Sequence, residues 1–142
     1  MRENKTPAQV SNLLELMKSK SSMKELYTSE NVERLIEYLD SFGHHLARSA
    51  GLKTSQIRKF LDAVKRIQTE LRNRRELPVR QRIVRLKPAL VYATARQKRH
   101  LQDFSIVVNR AIDMVEDDKD FNYFVEFVEG IVAYHKFHGG RD

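Results

Sequence analysis

Apolar residues recur along this chain at intervals of three and four, the spacing that lines one face of a helix. Six such series stand out. A short one runs Val10, Leu13, Leu14, Met17. The next is Val32, Leu35, Ile36, Leu39, Phe42, Leu46. A third is Ile57, Phe60, Leu61, Val64, Ile67, Leu71, and a fourth is Val79, Ile83, Leu86, Leu90, Ala93. A fifth is Leu101, Phe104, Val107, Val108, Ala111, Ile112, Val115. The last begins at Phe121 and Phe124, runs through Phe127 and Ile131 to Tyr134, and is apolar over more than half its circumference. That last helix is expected at the centre of a core. With only five Gly and three Pro, the pattern predicts an all-α fold: a small bundle of about five helices with a long basic helix in the middle.

Breakers and caps set the expected boundaries. Residues 1–6 read as frayed, with Thr6 as a cap and Pro7 in a first helical turn. Lys18-Ser19-Lys20-Ser21-Ser22 reads as a polar joint, so 1–22 is expected as an N-terminal helical segment and 23–142 as the bundle domain. Ser29 is expected to cap the second series, Gly43 to bend or break it, and Gly51 to end it. Thr54 or Ser55 would open the basic helix, and Leu77-Pro78 would break the chain after it. Pro88 predicts a kink or a new helix. Beyond it no breaker intervenes before Glu116, which predicts one helix, or two in near-continuation, over 89–115. Glu116-Asp117-Asp118-Lys119-Asp120 reads as a solvated acidic connector into the last helix, which Gly139-Gly140 would stop.

Charge changes the picture. Residues 53–99 contain fifteen Lys or Arg and three acids, a net of 15 − 3 = +12 within a chain whose net charge is +7. The rest therefore carries 7 − 12 = −5. A solvated helix face ordinarily mixes signs; this one does not, and such a concentration is the footprint of a polyanion partner. In the basic helix, Arg58, Lys65 and Arg72 recur every seven residues along the edge of the apolar face, roughly 10 Å apart at about 1.5 Å per residue. Lys59 and Arg66 point away from the core. A second group, Arg80, Arg82, Arg85, Lys87 and Arg96, occupies the non-apolar side of the following series, with Lys98 and Arg99 just beyond.

Catalytic chemistry finds no foothold. There is no glycine-rich phosphate loop, nucleophile elbow or paired-histidine zinc helix. The absence of cysteine removes disulfides and thiolate metal sites. His44-His45 diverge on a helix, and His135 with His138 lack a third ligand. No metal, cofactor or small-molecule substrate is expected. No apolar run has signal-peptide or membrane-spanning length, so a cytoplasmic, non-enzymatic protein is expected. Tyr123, Tyr134 and Phe137 have rings able to stack bases, but their helical spacing reads as core.

Three segments together resemble the small subunit of the type III-A CRISPR effector, the Csm complex. They are Thr54-Ser55-Gln56-Ile57-Arg58-Lys59-Phe60; Leu86-Lys87-Pro88-Ala89-Leu90-Val91-Tyr92-Ala93 with Arg96; and Val132-Ala133-Tyr134-His135-Lys136 with Gly139-Gly140. The resemblance spans about residues 28–140. Ala89 departs from it, standing where the family often carries a further basic residue. The resemblance implies a non-catalytic helical bundle. Its copies would stack beside other Csm subunits and touch the backbone of the crRNA–target RNA duplex, while base pairing reads sequence. Two other classes compete on the residues alone. A standalone DNA-binding or regulatory protein would use the turn near 49–55 as a helix-turn-helix, but its cations should then cluster at one helix N-terminus. A basic protein–protein adaptor would meet an acidic partner. The eight acids among residues 101–129 against Arg110 and Lys119 suggest such a partner could be a further copy of the chain.

Overall fold

The computed structural model describes residues 6–141. They form eight helical segments: α1 (Ala8–Lys18), α2 (Met23–Thr28), α3 (Val32–Arg48), α4 (Thr54–Asn73), α5 (Val79–Ile83), α6 (Leu86–Arg96), α7 (Lys98–Asp113) and α8 (Asp118–Phe137). No strand occurs among the described residues, so the all-α expectation holds. The segments outnumber the five expected because one short helix was missed and two long series are divided. Residues 1–5, expected to fray, lie outside the described residues.

α8 is central, with Phe124, Phe127, Val128 and Ile131 fully buried. It packs most extensively on α3, and also on α4 and α2. Full burial of a large apolar side chain stabilises by about 1.5–3 kcal/mol, so the Phe-rich face of α8 anchors the bundle. α1 packs on α3 and α7 and buries Val10, Leu13 and Met17 in the same core. Tyr27 of α2 stacks on Tyr123 of α8, ring centroids 5.2 Å apart. Burial pushes the Tyr27 hydroxyl's pKa up, so it stays protonated.

Gly43 does not bend α3. It lies inside the continuous helix Val32–Arg48, buried against α8. A Cβ there would stand 2.5 Å from Tyr134 Cβ and 2.8 Å from the backbone of residues 134 and 135. The missing side chain lets two helix backbones touch; what looks like a weak helix former is a packing requirement. Gly51, by contrast, ends the element as expected, with φ +66°, a conformation costly for other residues.

Several caps differ from expectation. Pro7, not Thr6, is the cap residue of α1, and its carbonyl accepts from Val10 N and Ser11 N. Ser29 closes α2, and Asn31 precedes α3. α2 itself has a legible start: Ser22 Oγ accepts from Glu25 N at 3.1 Å, and the Glu25 carboxylate accepts from Ser21 N at 2.7 Å, a capping box shifted by one residue on its acidic side. Those contacts with Ser21 hold the Glu25 carboxyl below its ordinary pKa. Lys53, not Thr54 or Ser55, occupies the cap of α4, and its N–H donates to Gln56 Oε1 at 3.1 Å. The acids at 116–120 are not all solvated. Asp117 caps α8, and Asp120, 3 % exposed, accepts from Lys24 N at 2.9 Å and Glu116 N at 3.0 Å.

The stretch 89–115 is neither one helix nor a near-continuation. Gln97 leaves the helical conformation, with φ −141° and ψ 56°, and α6 folds back along α7. Lys87, near the start of α6, reaches Asp113 at the end of α7 at 2.6 Å. The two helices are therefore an antiparallel hairpin. Pro88 sits in the first turn of α6, where the N–H it lacks would have had no intrahelical acceptor.

Replacing Gly43 with Ala should lower the thermal midpoint by about 3–8 °C. Because the clash is with backbone, the overpacking cost lies toward the upper end of about 1–3 kcal/mol and exceeds the propensity gain of about 1 kcal/mol. A midpoint that rises in calorimetry would show that α3 and α8 have room for a methyl group.

Candidate nucleic-acid interface

The ten cations singled out by spacing do not behave alike once folded. Arg58, Lys59, Arg66 and Arg72 on α4 are exposed, as are Arg85 and Arg96. Among the described residues none of these six forms an ion pair. The other four are engaged. Lys65 pairs with Glu129 of α8; both groups are nearly half exposed, so the pair is worth about 0–1 kcal/mol and Lys65 is readily released. Arg82 pairs with Glu70 at 3.2 Å, and Lys87 with Asp113.

Arg80 is the most committed. Its Nη1 donates to the carbonyls of Ile112 at 2.6 Å and Val115 at 3.1 Å, and its Nη2 lies 3.5 Å from Asp113. These carbonyls lie in the last turn of α7 and just beyond it, where a cation also complements the helix dipole; Ile112 O accepts from Val115 N as well. Spacing could not reveal this, because the partners lie thirty residues away.

Internal contacts also take up five of the eight acids expected to draw an external partner. Asp113 and Glu129 are paired with cations, Asp103 contacts His45 at 2.7 Å, Asp117 caps α8 and Asp120 is buried. The bundle uses these five acids to hold itself together, and among the described residues Lys65 is the one α4 cation that an acid answers.

The start of α4 is held from three sides. His135 of α8 donates from Nε2 to Leu52 O at 2.6 Å, and His100 Nδ1 contacts Ala50 O at 2.7 Å. Thr54 N donates to Arg141 O at 2.7 Å. Gln56 Nε2 donates to Gln97 Oε1. Gly140 packs against the ring of His135, where a Cβ would lie inside it. The histidines thus serve the turn between α3 and α4; His45 and His138 contact Asp103 and Asp40. Among the described residues no group of three His, Asp or Glu could hold a metal.

Between α4 and α6 lies a groove of about 370 Å³. Phe60 and Phe104 meet edge to face in its lining, 5.5 Å between centroids, with Leu90 and Leu101 beside them. Lys59 lines one side, Tyr92 and Arg96 the other. Arg96 lies over the Tyr92 ring, 5.7 Å from its centroid. Tyr92 is 66 % exposed and Val91 67 %. Sequence reasoning overlooked Tyr92; the available signal was an aromatic ring outside the Leu86–Leu90–Ala93 core series. Of the aromatics it did consider, Tyr123 stacks internally and Tyr134 packs on Gly43, while Phe137 is exposed.

The start of α4, the residue that follows α6 and the end of α8 meet around the turn at 50–56; the start of the second resemblance segment lies at the far end of the hairpin, beside Asp113. A model of the family described as Csm2 Type III-A matches residues 29–141. The chain belongs to that family. Its members are the small subunits of the type III-A Csm complex. No curated protein and no solved structure matches the chain. The Csm2 match begins at Ser29, so α1 and α2 lie outside it. Among the described residues no helix is long and apolar enough to cross a membrane.

The division between engaged and free cations is measurable. Arg80→Met keeps the aliphatic stem but removes the bonds to Ile112 O and Val115 O, and should cost about 1–3 kcal/mol in urea unfolding. Arg58→Gln should stay within about 0.5 kcal/mol of the parent. Equal effects would erase the distinction.

Proposed function

We propose that this Csm2-family chain is a non-catalytic, cytoplasmic subunit whose exposed α4 face contacts the backbone of the crRNA–target RNA duplex. Further copies of itself and other Csm subunits are its protein partners. The observation that carries the reading is the state of Arg58, Lys59, Arg66 and Arg72: exposed, on one helix, and without internal ion pairs. Arg85 and Arg96 extend the surface, and Lys65 joins when RNA outcompetes Glu129. Arg80, Arg82 and Lys87 support the surface from within the fold.

Cations spaced along a helix track phosphates and 2′-hydroxyls and leave base identity unread. That division of labour suits a complex in which guide pairing supplies sequence specificity. A helix-turn-helix reading fits less well. A reading helix must offer its N-terminal side chains to base edges, whereas here Thr54 is buried and Gln56 is bonded to Lys53 and Gln97.

The triple variant Arg58→Glu, Arg66→Glu, Arg72→Glu should lose RNA affinity by at least about a hundredfold at low salt. Its log–log salt slope should fall by about one for each phosphate contact removed. Circular dichroism should be unchanged, because all three side chains are exposed. Parental RNA affinity in a correctly folded triple variant would remove α4 as the contact surface.

A further inference from the structure

The groove between α4 and α6 has the chemistry of a nucleotide site. Its walls are apolar and aromatic, its rim carries Lys59 and Arg96, and among the described residues no carboxylate lines it. Its volume of about 370 Å³ falls in the range of about 300–1,000 Å³ typical of small-ligand clefts. Small Ala89 helps keep it open, and the edge-to-face pair Phe60–Phe104 stiffens its base. Tyr92, two-thirds exposed, has the Arg96 guanidinium over its ring. An exposed aromatic beside cations is how proteins hold unpaired bases, because every base has a π-face to stack.

We propose that this groove takes one unpaired nucleobase of a bound RNA. The base stacks on Tyr92, and its flanking phosphates meet Lys59 and Arg96. The inference rests on the RNA-binding reading above and adds to it a means of sensing unpaired nucleotides. A base within a continuous duplex stays in its stack and does not enter. Recognition by stacking is tolerant of base identity, so the groove reports pairing and not sequence. An apolar side chain from a protein would satisfy the walls but leave both rim cations unanswered; a nucleotide satisfies all three.

The test uses the full chain with two RNA duplexes, one fully paired and one bearing a single bulged 2-aminopurine. The parental protein should quench the bulged fluorophore. Tyr92→Leu should abolish that quenching and weaken binding of the bulged duplex about tenfold, while affinity for the paired duplex stays unchanged. Tyr92→Phe should retain both properties. Ala89→Trp, which fills the groove and leaves Tyr92 in place, should reproduce the loss. Quenching that survives Tyr92→Leu overturns the proposal and leaves the α4 reading intact. Failure of the parental protein to bind either duplex overturns both. If Tyr92→Leu leaves both RNA affinities unchanged but releases a subunit from the purified complex, the groove is a protein socket and the proposal falls.

Discussion

Everything in this bundle hangs on the place where α3 and α8 touch backbone to backbone. With no side chain at Gly43, Tyr134 and His135 lie directly against α3, and that depth of approach fixes the height of α8 in the core. His135 then sits where its Nε2 reaches the carbonyl of Leu52. The turn between α3 and α4 is thereby tied to the helix that crosses α3. A glycine in one helix thus sets where the next one begins. Interiors are close-packed and transmit such shifts; a change of a few tenths of an ångström at the crossing would be felt at the start of the basic helix.

The electrostatic organisation follows the same economy. Arg80 of α5 and Lys87 of α6 are drawn inward to the carbonyls and the Asp113 carboxylate at the end of α7, where they hold a hairpin that apolar packing alone leaves thin. α6 buries only Leu86 and Leu90 fully. Among the described residues the cations of α4 pair with one opposing charge, Glu129, and that pair is weak. The same net charge therefore does two jobs: part of it closes the fold, and the remainder projects a field strong enough to steer a polyanion. Net charge is a poor guide to which residue does which, because the answer depends on partners distant in sequence.

The sequence was informative where one element decides the outcome. The faces of α3, α4, α7 and α8 follow from a period of 3.6, and the cations of α4 lie on the exposed side because the apolar series leaves them nowhere else to go. It was uninformative where two elements decide. Gly43 looked like a break because helix propensity is local, while its reason for being there lies on α8. The reversal at Gln97 carries no proline or glycine; it is imposed by the return of α6 onto α7. Arg80 and Lys87 matched the pattern of a free basic face, since nothing in the spacing reveals Asp113 or the carbonyls of Ile112 and Val115. The groove beside Tyr92 was illegible for the same reason, being a space between helices and not a property of either. α2 is the exception: Ser22 and Glu25 spelled out its start, but six residues are too few for an apolar period to register.

One carboxylate at the open end of the hairpin has an evolutionary consequence. Arg80 and Lys87 both lean on Asp113, so substitutions at the three positions are not independent: neighbours in one charge network couple by about 0.5–3 kcal/mol. Losing either cation leaves the acid a remaining partner, whereas losing the acid orphans Lys87 and weakens Arg80 together. Drift at this corner is therefore directional. Lys87 is the freer of the two cations to vary while the aspartate stays, because Arg80 also holds the carbonyls of Ile112 and Val115. Lineages of this small subunit should differ here in the order of their changes as well as in their content.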